Sequence, residues 1–117
     1  MSQYWDIEQV DDYIFIGHEK GIYTYQNGRF KAFHLTSGVW NFRQHPRDKN
    51  VIFCGTYNGI LISKRKEEKW YFDKRLDGFW DSSRFMEFDK SYLWVCHPAK
   101  GFFLMTLSEN FEQIESF

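Results

Sequence analysis

The chain has 117 residues, with 15 basic and 16 acidic side chains and a formal net charge of −1. That balance lacks the cationic surplus needed to neutralise a phosphate backbone, which excludes nucleic-acid binding as a main role of this segment. Aromatic residues make up 21% of the chain against only 2 Pro and 8 Gly, and no stretch sustains a helical hydrophobic period, so the composition points to strands packed through bulky rings.

The opening MSQYWDIEQV has neither a basic leader nor an apolar centre, and no apolar span of about 18 residues follows anywhere. Trp5 and Asp6 open the first expected inner strand. IFIGHEKGIY at 14–23 reads as a second strand, a turn ending at Gly21 and a third strand, with RFKAF as the fourth. Glycine at the end of such a turn supplies the positive φ that a tight connection demands. The middle of the chain repeats the plan. Its inner strand runs from Trp40 through Phe42 to about Gln44, followed by a turn over residues 45–50 and a second strand over Val51–Gly55. A turn of Thr56, Tyr57, Asn58 and Gly59 leads to a third strand over Ile60–Ser63, and the fourth starts at Trp70. Lys64, Arg65 and Lys66, followed at once by Glu67 and Glu68, read as a solvated turn. Trp80 and Asp81 are expected to open the third inner strand. LWVCHPAKGFF at 93–103 repeats the hairpin with one residue inserted, and NFEQIESF closes the chain as an outer strand.

The spacing of these anchors is nearly constant. Gly17 to Gly55 and Gly21 to Gly59 are both 38 residues, Gly59 to Gly101 is 42 and Trp40 to Trp80 is 40, while Phe30, Trp70 and Phe111 follow at 40 and 41. One four-stranded antiparallel unit about every 40 residues is the signature of a β-propeller blade. The expected fold is all-β: three four-stranded antiparallel blades, at about 1–36, 37–77 and 78–117, forming a single partial propeller domain. Rings usually take about four to eight blades. Either further blades of a longer parent or a second copy would therefore have to complete this one. Trp5-Asp6, Trp80-Asp81 and Gly17-His18 mimic WD40 dipeptides, but here the WD pair opens the inner strand instead of closing the third.

IFIGHEKGIYTY and IFCGTYNGILIS resemble the two-component regulator propeller repeat, in which an apolar strand leads to Gly-Thr, a short turn and Gly-Leu before an aromatic strand. Gly55 and Thr56 fit closely, while His18, Cys96 and His97 depart from the pattern. Residues 82–107 resemble more narrowly the sensor regions of bacterial hybrid two-component or LuxR-type regulators that carry a triple-tyrosine domain. The resemblance implies a non-enzymatic sensor or ligand-binding segment of a signal-transduction or transcriptional regulator. It also implies the periplasmic side of a membrane-anchored parent and glycans as a ligand class. A protein-interaction scaffold with partners on the rim is the competing reading, and a propeller hydrolase the third.

Trp40 and Trp80, each following a glycine and an apolar residue, are the residues expected to stack on a sugar. His18, Lys20, Tyr57, His97 and Lys100 fall in hairpin turns on one face, with His34 in a connection on the same face and His45 on the opposite one. The plainer alternative makes the tryptophans packing residues between blades and the others ordinary turn residues. Trp70 and Trp94 are expected in the core. Asp6, Asn41 and Asp81 are read as one position in three copies, capping strand starts or bonding the neighbouring blade instead of holding calcium. Cys54 and Cys96, nearly equivalent in neighbouring blades and too far apart for a bridge, read as buried free thiols. No CxxC or zinc-type cluster occurs, and no catalytic residue, metal or cofactor is assigned.

Overall fold

A computed structural model describes residues 3–90, 92–97, 99–107 and 114–116. These residues form three antiparallel sheets, each a meander in which neighbouring strands follow chain order. The first sheet holds β1 (Tyr4–Val10), β2 (Tyr13–His18), β3 (Gly21–Gln26) and β4 (Arg29–Leu35). The second holds β5 (Val39–Gln44), β6 (Val51–Thr56), β7 (Gly59–Lys66) and β8 (Lys69–Arg75). The third holds β9 (Phe85–Asp89), β10 (Tyr92–His97), β11 (Gly101–Leu107) and a short fourth strand, β12 (Ile114–Ser116), so the three sheets are unequal in size. The described residues contain no helix, and none long and apolar enough to cross a membrane.

Local chemistry sets the hairpins. Asn27 and Gly28 take left-handed φ of 52° and 79°, and Glu67 and Glu68 take 54° and 66° at the matching place in the second sheet. Consecutive left-handed residues in a two-residue loop follow the right-handed twist of the flanking strands. Asn-Gly adopts that geometry readily, whereas each glutamate gives up about 1–2 kcal/mol to do so.

Strand pairing shows which residues are equivalent. Asp6 pairs with Gly17, Asn41 with Gly55 and Phe85 with Cys96, while His18, Thr56 and His97 pair with Gly21, Gly59 and Gly101. Because side chains alternate across a strand, every sheet has one face toward its predecessor in the chain and one toward its successor. Phe15 and Ile22 face the second sheet, where they join Phe42, Ile52, Cys54, Leu61 and Trp70 in a first core. Phe53 and Ile60, the same two positions one repeat later, face the third sheet and join Met86, Leu93, Val95 and Met105 in a second core. The middle sheet is thus covered on both sides. That is why β6 is buried at every position and reads as an unbroken apolar run.

The molecule measures 41 × 36 × 19 Å. Strands of five to eight residues span roughly 17–26 Å at about 3.3 Å per residue.

Several expectations change. The first strand of the third sheet begins at Phe85, so Trp80 and Asp81 lie in an irregular connection over residues 76–84 and do not open that strand. Phe85, not Asp81, is the third member of the Asp6 and Asn41 series. Trp70 is core, but Trp94 is 38% exposed because it sits on the face of the third sheet turned away from the second, which no other sheet of the described residues covers. The inserted turn residue puts Cys54 in register with Val95 and leaves Cys96 in register with Gly55. Cys54 is consequently buried and Cys96 exposed. His34 is within β4, its ring stacked on Phe72 of β8 at 3.7 Å, and not in a connection. Phe111, in the expected last outer strand, lies outside the described residues.

Candidate functional site

The first strand of each sheet starts, and the hairpin between its second and third strands turns, at one edge of that sheet. The ties between sheets at this edge begin with the residue just before Asp6, Asn41 and Phe85. In the three sheets it is Trp5, Trp40 and Arg84. The Trp5 and Trp40 rings stand 4.7 Å apart, and the Arg84 guanidinium lies over the Trp40 ring at 4.8 Å. Close aromatic ring pairs, here inclined at 58°, and a cation over an indole face are each attractive by about 0.5–1 kcal/mol or more. Trp40 also touches Tyr57 at 4.6 Å, and its indole N–H donates to Ser82 Oγ at 3.1 Å. The structure therefore brings Trp40 and Tyr57 together, with the Trp40 ring contacted by three side chains and its one donor spent.

Trp80 is placed differently. The residue is 61% exposed, with the Arg75 guanidinium 5.5 Å from the ring centroid. Arg75 in turn donates to the Asn58 carbonyl of the middle hairpin turn. Beside Trp80, Asp81 accepts from Lys100 Nζ at 2.6 Å, and its carbonyl accepts from the Gly59 N–H at 2.9 Å. Ser83 N–H donates to the Thr56 carbonyl at 2.9 Å, and Leu76 N–H to that of Ile60 at 2.8 Å. The irregular connection is thus stitched to the turn below it, presenting an indole, a carboxylate and two cations together.

Asp6 and Asn41 are committed to neighbouring sheets. Asp6 accepts from Phe42 N–H at 3.2 Å, and Asn41 Nδ2 donates to the Ser83 and Arg84 carbonyls at 3.1 and 2.5 Å. Among the described residues no group of three His, Cys, Asp or Glu stands where it could hold a metal ion.

The histidines cap turns. His18, buried between Tyr4 and Tyr23, accepts the Lys20 N–H through Nδ1 at 3.1 Å. His97 Nδ1 accepts from Ala99 and Lys100 at 3.0 and 3.1 Å. At the equivalent position Thr56 Oγ1 accepts from Asn58 at 3.1 Å and donates to the Gly59 carbonyl at 2.9 Å. Histidine and threonine are interchangeable there because each offers one acceptor at the right reach. A ring accepting through Nδ1 carries its proton on Nε2, so the lone pair a general base would use is already engaged. Lys20 is exposed beside this turn, and Lys100 is paired with Asp81.

His45 caps the turn at the opposite edge, accepting the Arg47 N–H at 3.1 Å while its ring packs on Phe53 and Phe88. Burial, the largest influence, holds its pKa below the ordinary 6.5; Asp48 opposes this and Arg47 reinforces it. His34 is lowered too, by burial and then by Arg75. A histidine whose folded pKa is depressed binds its proton more readily when unfolded. Its share of stability is thus complete above pH 6.5 and is lost as pH falls below that value. The urea midpoint is expected to drop between pH 7.5 and 5.5, and His45→Asn, which keeps an acceptor at the same reach, should make that drop shallower. Identical slopes for the two proteins would refute this role.

Sequence reasoning missed Arg75 and Arg84 as partners of Trp80 and Trp40, and Lys100 as the partner of Asp81. The signal was present as RLDGFWDSSR, in which two arginines bracket Trp80 at residues 75–84. No protein-family model, curated protein or solved structure matches the chain.

Proposed function

We propose that the three sheets are successive blades of a β-propeller of the two-component regulator type, and that the chain is a non-enzymatic sensor segment binding an oligosaccharide at Trp80. The observation that carries this reading is an indole left largely in water, in a connection that hydrogen bonds hold in place, with charged groups around it. Large apolar side chains at such positions usually serve recognition. The C–H face of a sugar ring stacks on the open indole face, and its hydroxyls meet the Asp81 carboxylate and Lys100 ammonium. Trp40 and Tyr57 support the rim from below, and His18, Lys20 and His97 shape the neighbouring turns. An extracytoplasmic, membrane-anchored regulator as the parent belongs to the same proposal and rests on the resemblance of the repeat.

The test is a panel of neutral and acidic oligosaccharides followed by thermal shift and calorimetry. Trp80→Ala is expected to lose roughly tenfold in affinity with an unchanged melting temperature, since its ring contributes little to the core. Binding that ignores Trp80→Ala would refute the site. No saccharide response, with capture of a defined protein partner on this rim, would instead favour an interaction scaffold.

A further inference from the structure

The β1–β2 and β3–β4 turns of the first sheet and the β7–β8 turn of the second border a hollow of about 750 Å³, at the strand ends opposite the β2–β3 and β6–β7 hairpins. That volume suits a small molecule. Arg65 fixes one wall: its guanidinium is ion-paired with Asp11, its Nε donates to Asn50 Oδ1 at 3.0 Å, and it lies 5.8 Å from the centroid of the Trp70 ring. Tyr13 also borders the hollow. Its ring belongs to the core between the first and second sheets and stacks on Phe15 at 5.9 Å, leaving the residue 6% exposed, yet its hydroxyl bonds to nothing among the described residues. A tyrosine hydroxyl so nearly buried ordinarily has a partner.

Packing alone does not call for that hydroxyl. The same position one repeat later, five residues before Thr56 as Tyr13 is before His18, holds Val51, which is buried in the second core and has no polar side-chain atom. The turns before these two residues differ as well. Residues 45–50 fold His45 onto Phe53 and Phe88, whereas Asp11 and Asp12 alone join β1 to β2 and leave the space beside Tyr13 open. The charges around the hollow are of both signs and uncommitted. Glu67, Glu68, Lys31 and Lys69 are exposed, and none is ion-paired or hydrogen-bonded through its side chain among the described residues. The two glutamates also hold a left-handed φ that they reach only at a cost, where the equivalent turn of the first sheet has Asn27 and Gly28.

We infer that this hollow binds a small zwitterion, a molecule carrying both an ammonium and a carboxylate, as an amino acid or a short peptide does. The ammonium is held by the Glu67 and Glu68 carboxylates, the ligand carboxylate faces Lys31 and Lys69, and the Tyr13 hydroxyl supplies a hydrogen bond from the core side. A phosphate or other plain anion would meet carboxylates as well as lysines, and a diamine would meet lysines as well as carboxylates, so a ligand bearing both signs matches this lining best. Asp11 and Asp12 take no part, because Arg65 occupies the first and Gln26 Nε2 donates to the second at 2.8 Å. The site is separate from the one at Trp80 and needs no saccharide.

The experiment is calorimetry and thermal shift on the whole chain with glycine and triglycine at millimolar concentrations, each compared with its N-acetylated and C-amidated forms. At least one unblocked probe is expected to bind, and blocking either end should weaken that binding roughly tenfold. Whichever probe binds more tightly separates a free amino acid from a peptide as the source of the zwitterion. Tyr13→Phe keeps the packed ring and should lose about fivefold in affinity. Glu67→Asn combined with Glu68→Gly copies the Asn27-Gly28 turn. It should raise the melting temperature by roughly 5 °C, because the backbone strain is relieved, and lower the affinity roughly tenfold. A damaged fold cannot produce that pair of results. No binding by either probe, blocked forms that bind as well as the free ones, or full affinity in Tyr13→Phe or in the double variant would each overturn the inference. Since Trp80→Ala leaves this hollow untouched, it should bind the zwitterion as the wild type does, and the two sites stand or fall separately.

Discussion

Phe53→Ala should lower the free energy of unfolding by about 4 kcal/mol, the usual cost of removing a fully enclosed phenyl ring. Phe53 has no exposed surface and sits in the core between the second and third sheets, with the Phe88 ring edge-on at 5.1 Å and His45 at 6.2 Å. Phe88 belongs to β9 of the third sheet and His45 to the turn after β5 of the second, so they cannot close together over the void. The cost includes a cavity as well as lost transfer energy. Urea unfolding at fixed pH reads it directly, and a change below 1 kcal/mol would mean that the second core is not packed as described.

Gly55→Ala is expected to cost about 3 kcal/mol, although it adds a single methyl group. The new carbon would stand 2.0 Å from the Ser83 carbonyl and 3.0 Å from the Asn41 amide nitrogen. Relief requires the connection over residues 76–84 to lift, breaking the Asn41 hydrogen bonds that hold it. Gly101→Ala is the control. Its φ of 95° is unfavourable to alanine, but nothing lies within 4 Å of the added carbon, so only backbone strain of about 1 kcal/mol remains. Equal losses at the two glycines would show that conformational preference, and not the close crossing at Gly55, sets the requirement.

The strands at the centre of each repeat were legible because their signals are local. Alternating side chains and a glycine closing each hairpin turn mark β2 with β3, β6 with β7 and β10 with β11. The start of the third sheet was not, because Trp80 and Asp81 copy the Trp5 and Asp6 pair and fall at the right distance from Trp40. What distinguishes them is the pairing of Phe85 with Cys96, a contact between strands that no local window contains. Burial of Trp94 and Cys96 was misjudged for a related reason: a strand shows which residues share a face but not whether another sheet covers it. In the candidate site, Trp80 and Lys100 could be singled out by residue type. That His18 and His97 do the work of Thr56 could not, since capping depends on where Nδ1 points.

Among the described residues each sheet packs its core against its neighbours along the chain, and this bears on how the fold is reached. The contacts that join sheets link residues about one repeat apart, such as Asp6 with Phe42 and Asn41 with Ser83. The entropy lost in closing a loop rises only with the logarithm of its length, so the second junction is no harder to form than the first, however much chain has gone before. No strand must wait for a distant part of the polypeptide. A newly synthesised sheet finds its partner already folded beside it, and the structure can grow in the order in which it is translated.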